Sequence, residues 1–320
     1  MNSKQNYYVT QQIEKILFEL GNLKSNETLC IITDDITKDV GTLFYKVAKK
    51  WKIDTKWFNI KPLRIQGQEP PKEVAFAMKK HDLILGMTKL SMAHTTAREV
   101  ASQLGSRYLS LADYSINLLM NEAFEVNFKK LGKKAQKLAE TFSKSKTLKI
   151  VTEKGTNLVM KIASRKGNFA PGYVNNQLLL GSPPNIEANI SPIETESNGI
   201  VVVDGSVAIP EIGKLIEPLT LKIRNGYLKS IDGNHKTVKF LNGLFHTKGR
   251  KSRLLAECGV GFNDRAKLCG KMLIDEGCYG SVHLGFGSNI VFGGINKIDF
   301  HIDFVFYATQ LILDNNKMKI

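Results

Sequence analysis

The C-terminal segment 299–306 alternates polar and apolar residues in the manner of a β-strand. Successive side chains of a strand point to opposite faces, so His301 and Asp303 project side by side from one face. Neutral imidazole and carboxylate are standard ligands of divalent cations, and one cation could bind both side chains. An ordinary solvent-exposed strand face also has this pattern, so on its own the pair leaves both interpretations open.

Three further segments place a metal-ligand side chain within apolar, glycine-rich sequence. A histidine has small residues on both sides, a glutamate lies between an apolar run and two glycines, and a second glutamate follows a Pro-Pro loop. These residues are His283, Glu257 and Glu187, respectively. A buried carboxylate is costly unless it is paired or binds a metal, and glycines let backbones approach a crowded centre. Together with the His-x-Asp pair they make five ligands, which suffice for two divalent cations that share one carboxylate.

These segments resemble the thermophilic metallo-aminopeptidases of the aminopeptidase T type. The resemblance rests on the order and spacing of AECGVGFN, DEGCYGSVHLGFG, a GG pair and HID near the C-terminus. It implies a homodimeric hydrolase that removes N-terminal residues from short peptides with a water activated by zinc, cobalt or manganese. It also implies that Glu257 bridges the two cations and serves as a catalytic base. The implied metal ligands are Glu187, Glu257, His283, His301 and Asp303.

Two positions depart from the pattern of those peptidases. Ile290 stands where they have a tyrosine seven residues after the block histidine, and Ile186 stands where they have a glycine before the first glutamate. Tyr279 and Tyr307 are near in sequence but do not occupy the tyrosine position. The resemblance therefore implies that metal binding is retained and that peptidase activity is weakened. If Ile290 instead belongs to the core, a tyrosine there would overpack it.

The wider group of these peptidases also includes 2,5-dihydroxypyridine dioxygenase, which this chain resembles in length and in its His-x-Asp pair. That enzyme opens an aromatic ring with one iron, and the site implied here is Fe(II) bound by His283, His301 and Asp303. The run SMAHTTAR also resembles a motif of the wider group and implies that His94 transfers protons. Alternatively, His94 and Thr95 simply cap the next helix.

The elements that must position these residues fall into two patterns. Up to residue 146, apolar runs alternate with segments of helical spacing, which predicts an α/β domain with a mostly parallel sheet, residues 1–146. Its predicted strands are 28–33, 55–60, 83–87 and 107–111. Beyond it, recurring glycine and proline and short stretches of period two predict a strand-rich α+β domain, residues 147–320, which holds the metal ligands. The first strand is followed by DDIT rather than a glycine-rich fingerprint, which argues against a dinucleotide site.

The composition of the 320 residues, 42% hydrophobic and 23% charged, is that of a globular protein. The net charge of +15 raises the possibility of nucleic-acid binding. However, the densest lysine cluster, 129–149, alternates with apolar residues at helical spacing, as on the solvated face of a helix. Nucleic acid is therefore not the expected partner. A small peptide or another small molecule is the expected substrate, and a non-enzymatic metal-binding or nucleic-acid-binding role stays open.

The cellular compartment follows from what the chain lacks. No apolar stretch approaches the ~18 residues that cross a bilayer, so no membrane association is expected. The N-terminal residues are polar and have no apolar core of a signal peptide. The four cysteines match neither a disulfide scaffold nor a zinc ribbon and are expected to be reduced, buried thiols. A cytoplasmic protein is the expectation.

Overall fold

The structure, a computed structural model, describes residues 2–308 and 310–319. The chain forms two compact units. The first unit comprises Met1–Lys129 and Ala170–Pro183, and the second comprises Lys130–Phe169 and Pro184–Ile320. Over the described ranges, no helix has both the length and the apolarity needed to cross a membrane.

The elements up to residue 144 mostly alternate helix and strand. They are α1 (Ser3–Glu14), β1 (Thr28–Asp34), α2 (Lys38–Lys50), β2 (Asp54–Ile60), α3 (Lys72–Met78), β3 (Leu83–Gly86), α4 (Thr96–Gln103), β4 (Arg107–Ser110), α5 (Ile116–Leu119) and α6 (Phe128–Lys144). A π-helical turn, Lys15–Leu20, continues α1, and a 3-10 turn spans Glu122–Phe124.

The rest of the chain is mostly strand. Its elements are β5 (Thr147–Val151), β6 (Asn157–Lys161), β7 (Asn168–Ala170), β8 (Leu180–Gly181), β9 (Glu187–Ile190), β10 (Ser197–Val203), β11 (Ser206–Val207), β12 (Gly213–Lys214), β13 (Leu219–Arg224), β14 (Tyr227–Asp232), α7 (His235–Lys248), β15 (Leu255–Gly261), α8 (Met272–Asp275), β16 (Ser281–Gly287), β17 (His301–Tyr307), β18 (Gln310–Leu313) and β19 (Asn316–Lys319). Short 3-10 turns span Arg250–Arg253 and Ile290–Phe292.

The first unit is built on a five-stranded parallel sheet of order β2-β1-β3-β4-β8. Strand β1 is a continuous apolar run, and it is buried on both faces after its first residue. One core cluster joins Ile32, Ile84 and Tyr108 of the sheet to Val74 of α3 and Ala97 of α4. Apolar spacing therefore fixes both the strands and the helices that cover them.

The second unit contains two seven-stranded sheets. One has the order β14-β13-β10-β6-β5-β18-β19 and the other has the order β12-β11-β17-β16-β15-β9-β7. In the second sheet, β15 and β16 are buried along their whole length. Phe245 of α7 contacts Phe286 of β16 edge-on and stacks on Phe304 of β17, with ring centroids 6.4 Å apart in both pairs. These aromatic contacts hold the central strands against α7.

The order of the two sheet types confirms the predicted fold class, an α/β region with a parallel sheet followed by a strand-rich α+β region. Residue 146, the expected domain boundary, lies between the end of α6 and the start of β5. On α6, Leu131, Ala135 and Leu138 are buried while the lysines are exposed, as the helical spacing predicts. Cys269 differs from the expected buried thiols because it is exposed in the loop before α8.

Candidate metal centre

The five predicted ligands all lie in the second unit, on four neighbouring strands of one sheet, in the order β17-β16-β15-β9. Strand β9 carries Glu187, β15 carries Glu257, β16 carries His283, and β17 carries His301 and Asp303. The strand pairs that carry them are antiparallel. The sheet therefore brings together side chains that are widely separated in sequence.

Each of the five side chains has a glycine opposite it on a neighbouring strand. Glu187 pairs with Gly261, Glu257 and Asp303 both pair with Gly285, His283 pairs with Gly259, and His301 pairs with Gly287. Cross-strand neighbours on one face are about 4.5–5.5 Å apart. A Cβ added at Gly259 would lie 2.1 Å from Nε2 of His283, and one at Gly285 would lie 2.5 Å from Nε2 of His301. Gly259 and Gly285 therefore make room for the cluster, whereas a Cβ at Gly261 or Gly287 would first meet the backbone of residues 277–278 or 300.

The donor atoms form two groups of three, and within each group they lie within 4.8 Å of one another. One group is Glu187, Glu257 and His283, and the other is Glu257, His301 and Asp303. Glu257 belongs to both, because its Oε1 lies 3.7 Å from Nε2 of His283 and its Oε2 lies 3.2 Å from Nε2 of His301. The sequence-based dioxygenase hypothesis placed His283 with His301 and Asp303. Among the described residues, His283 instead groups with Glu187 and Glu257, and His301 and Asp303 group with Glu257.

The separations between donors suit a divalent cation. Nε2 of His283 lies 3.6 Å from Oε2 of Glu187, and Nε2 of His301 lies 3.2 Å from Oδ1 of Asp303. Ligand atoms bound at about 2.0–2.2 Å to one tetrahedral or octahedral ion are themselves about 3–3.5 Å apart. Two nitrogens and several carboxylate oxygens are also a donor set that divalent metals accept. The residues present therefore fit a divalent metal.

Burial and mutual charge shift the protonation of the whole cluster. Burial by itself lowers the pKa of His283, but contact with Glu257 and the charges of Glu187 and Asp303 outweigh it and raise that pKa to about 9. Burial also lowers the pKa of His301, but its carboxylate neighbours, mainly Asp303, outweigh burial and raise that pKa well above the usual range. Without a cation, protons on the two histidines balance the carboxylates, and a bound metal would displace them.

The carboxylates are shifted in opposite directions. Burial tends to raise the pKa of Glu257 and of Asp303, but the neighbouring histidines lower both below their ordinary values. The pKa of Glu187 is raised, first by burial and then by the charge of Glu257, because its histidine and amide contacts compensate only in part. The shared carboxylate Glu257 is thus held ionised between the two histidines.

Neighbouring groups orient the donor atoms. Nδ1 of His301 lies 3.0 Å from the carbonyl oxygen of Ser288, which assigns the N–H to Nδ1 and leaves Nε2 free to bind a metal. The side-chain amides of Asn185 and Asn189 donate to the two oxygens of Glu187, at 3.1 Å and 2.9 Å. Neither asparagine was predicted from the sequence, although the period of two in Asn185-x-Glu187-x-Asn189 would place all three side chains on one face of an extended segment.

Glu276, next to α8, is a further member of the centre; from the sequence Ile274-Asp275-Glu276-Gly277 it was expected beside the metal ligands or at the surface. Its pKa is raised well above the ordinary value, first by removal from water and then by the charges of Asp303, Glu187 and Glu257. Its carboxyl hydrogen-bonds to that of Asp303, and the raised pKa favours the protonated form that donates this bond. The sequence does not identify its partner, because Asp303 lies on a strand distant in sequence.

The structure places the remaining candidate residues as follows. His94 is exposed in the first unit, just before α4, and the N-cap of that helix is Thr95, whose hydroxyl accepts from the backbone N–H of Arg98. The structure therefore makes Thr95, and not His94, the helix cap. Ile290 is 45% exposed in a 3-10 turn, so the alternative that it belongs to the core is wrong. Tyr307 lies at the far end of β17 from His301, roughly 20 Å away along the strand.

Comparisons with known proteins agree with this fold. A family model described as NicX, 2,5-dihydroxypyridine 5,6-dioxygenase, matches residues 11–319. The solved structure of 2,5-dihydroxypyridine dioxygenase from Pseudomonas putida KT2440 matches with a TM-score of 0.83 and 16% identity, covering 98% of this chain and 96% of that one. The structure of wild-type AmpT from Thermus thermophilus matches with a TM-score of 0.67 and 13% identity, covering 98% and 97%. Comparison with curated protein sequences gives no significant match.

Proposed function

The chain belongs to the NicX family, 2,5-dihydroxypyridine 5,6-dioxygenase, and we propose that it opens a dihydroxylated, pyridine-type aromatic ring with dioxygen. The observation that carries this proposal is the family match, which spans nearly the whole chain and includes every residue of the metal centre. The fold likeness supports it, because the TM-score is 0.83 to the dioxygenase and 0.67 to AmpT. The dioxygenase alternative is therefore preferred to the aminopeptidase-like hydrolase.

We infer that His301, Asp303 and Glu257 hold the metal, with His283 on the other side of Glu257. Imidazole and carboxylate are donor types that non-haem Fe(II) oxygenases use, and together with the family match they make Fe(II) the proposed ion. When bound, Fe(II) supplies the redox chemistry by which dioxygen and an electron-rich ring react.

The residues of the chain keep the donors in place for this reaction. The Ser288 carbonyl holds the imidazole of His301 so that Nε2 points into the centre. The protonated carboxyl of Glu276 hydrogen-bonds to Asp303 and keeps that carboxylate oriented. The other donors are almost fully buried, so water reaches the centre mainly past His301, whose side chain is 27% exposed.

Oxygen uptake tests the proposal directly. Protein loaded with Fe(II) under anaerobic conditions is mixed with 2,5-dihydroxypyridine and oxygen, and oxygen consumption is compared with loss of the ring absorbance. One dioxygen per ring is expected, since a dioxygenase places both oxygen atoms in the product. Asp303→Asn is expected to abolish uptake, while His246→Gln, an exposed histidine of α7, leaves it intact. No uptake by wild type with iron confirmed bound would refute the proposal.

An aminopeptidase-like hydrolase is the second candidate, and one observation favours it. Glu257 is shared by two donor groups, an arrangement that could hold two cations with one bridging carboxylate. In this case Glu257 would also accept a proton from the attacking water. Aminoacyl-p-nitroanilides with added zinc, cobalt or manganese separate the candidates. Cleavage of these peptides without oxygen uptake would favour the hydrolase.

Three expectations attached to these functions remain proposals. Proton transfer by His94 predicts that His94→Gln lowers kcat and changes its pH profile without loss of metal. The homodimer predicts that light scattering at micromolar concentration gives twice the mass of the chain. A small-molecule substrate, rather than nucleic acid, is proposed for the centre, and a salt-dependent gel shift with RNA would count against it.

A further inference from the structure

The segment between β16 and β17, residues 288–300, lies beside His301, the most exposed of the five donors. The side chain of His301 is 27% exposed, whereas those of the other four donors are at most 9% exposed. The carbonyl of Ser288, at the start of this segment, holds His301 in place. A substrate that approaches the centre from the side of His301 therefore meets this segment.

The segment places apolar and aromatic surface at that opening. The ring of Phe292 lies against the imidazole of His301, with ring centroids 5.6 Å apart and planes tilted by 47°. The neighbouring Ile290 and Val291 are each 45% exposed. Apolar side chains around a few convergent polar groups are typical of small-molecule sites. An aromatic ring in this position also offers a stacking surface to a planar substrate.

A polar network holds the segment in this conformation. The carboxylate of Glu194 accepts hydrogen bonds from the side-chain amide of Asn289 and from the backbone N–H of Ile295, both at 2.9 Å. Arg165 forms an ion pair with Glu194 and donates to the carbonyl of Gly293. Asn289 is itself fully buried and accepts from the backbone N–H of residue 296. The segment is thus pre-organised, which reduces the conformational entropy lost when a ligand binds.

We propose that residues 288–300 form the substrate-recognition loop of the centre and that Phe292 stacks on the planar heteroaromatic ring beside His301. This inference rests on the proposed function, because it takes an aromatic substrate as given. Phe292 is a specificity-determining residue that contacts the substrate, and Glu194 is a positioning residue that acts through the loop.

Equilibrium binding in the absence of oxygen tests the inference without turnover. The Kd of 2,5-dihydroxypyridine is measured by titration for the Fe(II)-loaded wild type and for Phe292→Ala, Phe292→Tyr and Phe240→Ala. Phe240, on α7, is 41% exposed and serves as the matched surface phenylalanine. Phe292→Ala is expected to weaken binding about tenfold, Phe292→Tyr to retain most of the affinity, and Phe240→Ala to have no effect.

Metal content and thermal melting of each variant complete the experiment. The inference requires that Phe292→Ala keeps the iron content and melting temperature of wild type while losing affinity. An unchanged Kd, or loss of iron that accounts for the weaker binding, would overturn it, and so would a wild type that does not bind the ring. Binding that depends on Phe292 without oxygen uptake would sustain the loop and refute the dioxygenase. Oxygen uptake together with an unchanged Kd and KM in Phe292→Ala would support the dioxygenase and refute the recognition loop.

Discussion

A Cβ atom at position 259 would lie 2.1 Å from Nε2 of His283, so the imidazole passes directly over the backbone of Gly259. No side chain fits at that distance, and either the ring or strand β15 must move if one is added. Gly259→Ala is therefore expected to displace His283 and to lower the free energy of unfolding by about 1–3 kcal/mol. It should also reduce the metal bound per chain, as measured by elemental analysis.

Gly243 provides the matched control for that substitution. It lies within α7, and a Cβ there would have no heavy atom within 4 Å. Gly243→Ala is expected to raise the free energy of unfolding by up to about 1 kcal/mol, because alanine is the better helix former. Urea unfolding of both variants distinguishes the two effects. Equal stability and equal metal content in Gly259→Ala and wild type would contradict the close approach of His283.

The shared position of Glu257 predicts an ordered loss of metal among ligand variants. Glu257→Gln should reduce metal content more than Glu187→Gln, because only Glu257 contributes to both donor groups. His301→Ala and Asp303→Ala should each remove the metal of their own group. Elemental analysis of protein purified without chelator measures this, with His246→Ala as the control. A metal content that does not change in His301→Ala and Asp303→Ala would end the metal hypothesis.

The raised pKa of His283 predicts a pH dependence of the metal-free protein. The pKa is about 9 in the folded chain and 6.5 as the ordinary value. The stabilisation is therefore fully present below pH 6.5 and is lost as the pH rises through 9, by up to about 3 kcal/mol. Urea unfolding of chelator-treated protein at pH 6.5 and pH 9 measures the loss, and His283→Gln should show less of it.

Metal affinity should depend on pH in the opposite direction to the stability of the metal-free protein. Imidazole binds a cation only when deprotonated, so metal affinity should rise over the same pH range. Isothermal titration with the metal in two buffers of different ionisation enthalpy should detect the protons released on binding. A metal-free protein that is equally stable at pH 6.5 and pH 9 would show that the neighbouring carboxylates do not raise the pKa of the histidines in the folded chain.

The exposure of Ile290 makes its replacement by tyrosine informative. Because the side chain is 45% exposed, Ile290→Tyr is expected to change the free energy of unfolding by no more than about 0.5 kcal/mol. Under the proposed dioxygenase function, no aminopeptidase activity appears. Under the hydrolase candidate, the added hydroxyl could donate to a developing oxyanion and raise peptide turnover by roughly 10²–10³. Aminoacyl-p-nitroanilide assays of wild type and variant measure the difference.

Much of the centre was predictable because its signals are local. The alternation of β17 places His301 and Asp303 on one face, and glycine-rich surroundings mark Glu257 and His283. The grouping of the donors was not predictable in this way. It depends on which residues lie opposite one another across β15, β16 and β17, and a strand pattern specifies a face but not a register with distant strands.

The same distinction between local and non-local signals applies to the fold. The strands and helices of the parallel sheet follow apolar runs and helical spacing, and both are properties of short segments. Short segments of sequence do not predict that residues 170–183 belong to the first unit. Their strand β8 is only the two residues Leu180–Gly181, and it pairs with β4. A strand of two residues is too short to show the alternation of polar and apolar side chains that predicts a strand. That pairing is set by tertiary contacts, which the sequence pattern does not reveal.

The arrangement of the donors on β9, β15, β16 and β17 has a consequence for the lifetime of the folded protein. A cation held by Glu257, His301 and Asp303 joins β15 to β17 across β16 as a cross-link, yet it finds these ligands only after the three strands have paired. Contacts that form after the folding transition state act on the rate of unfolding and hardly on the rate of folding. Removing the ion should therefore shorten the life of the native state and leave the speed of its formation nearly unchanged.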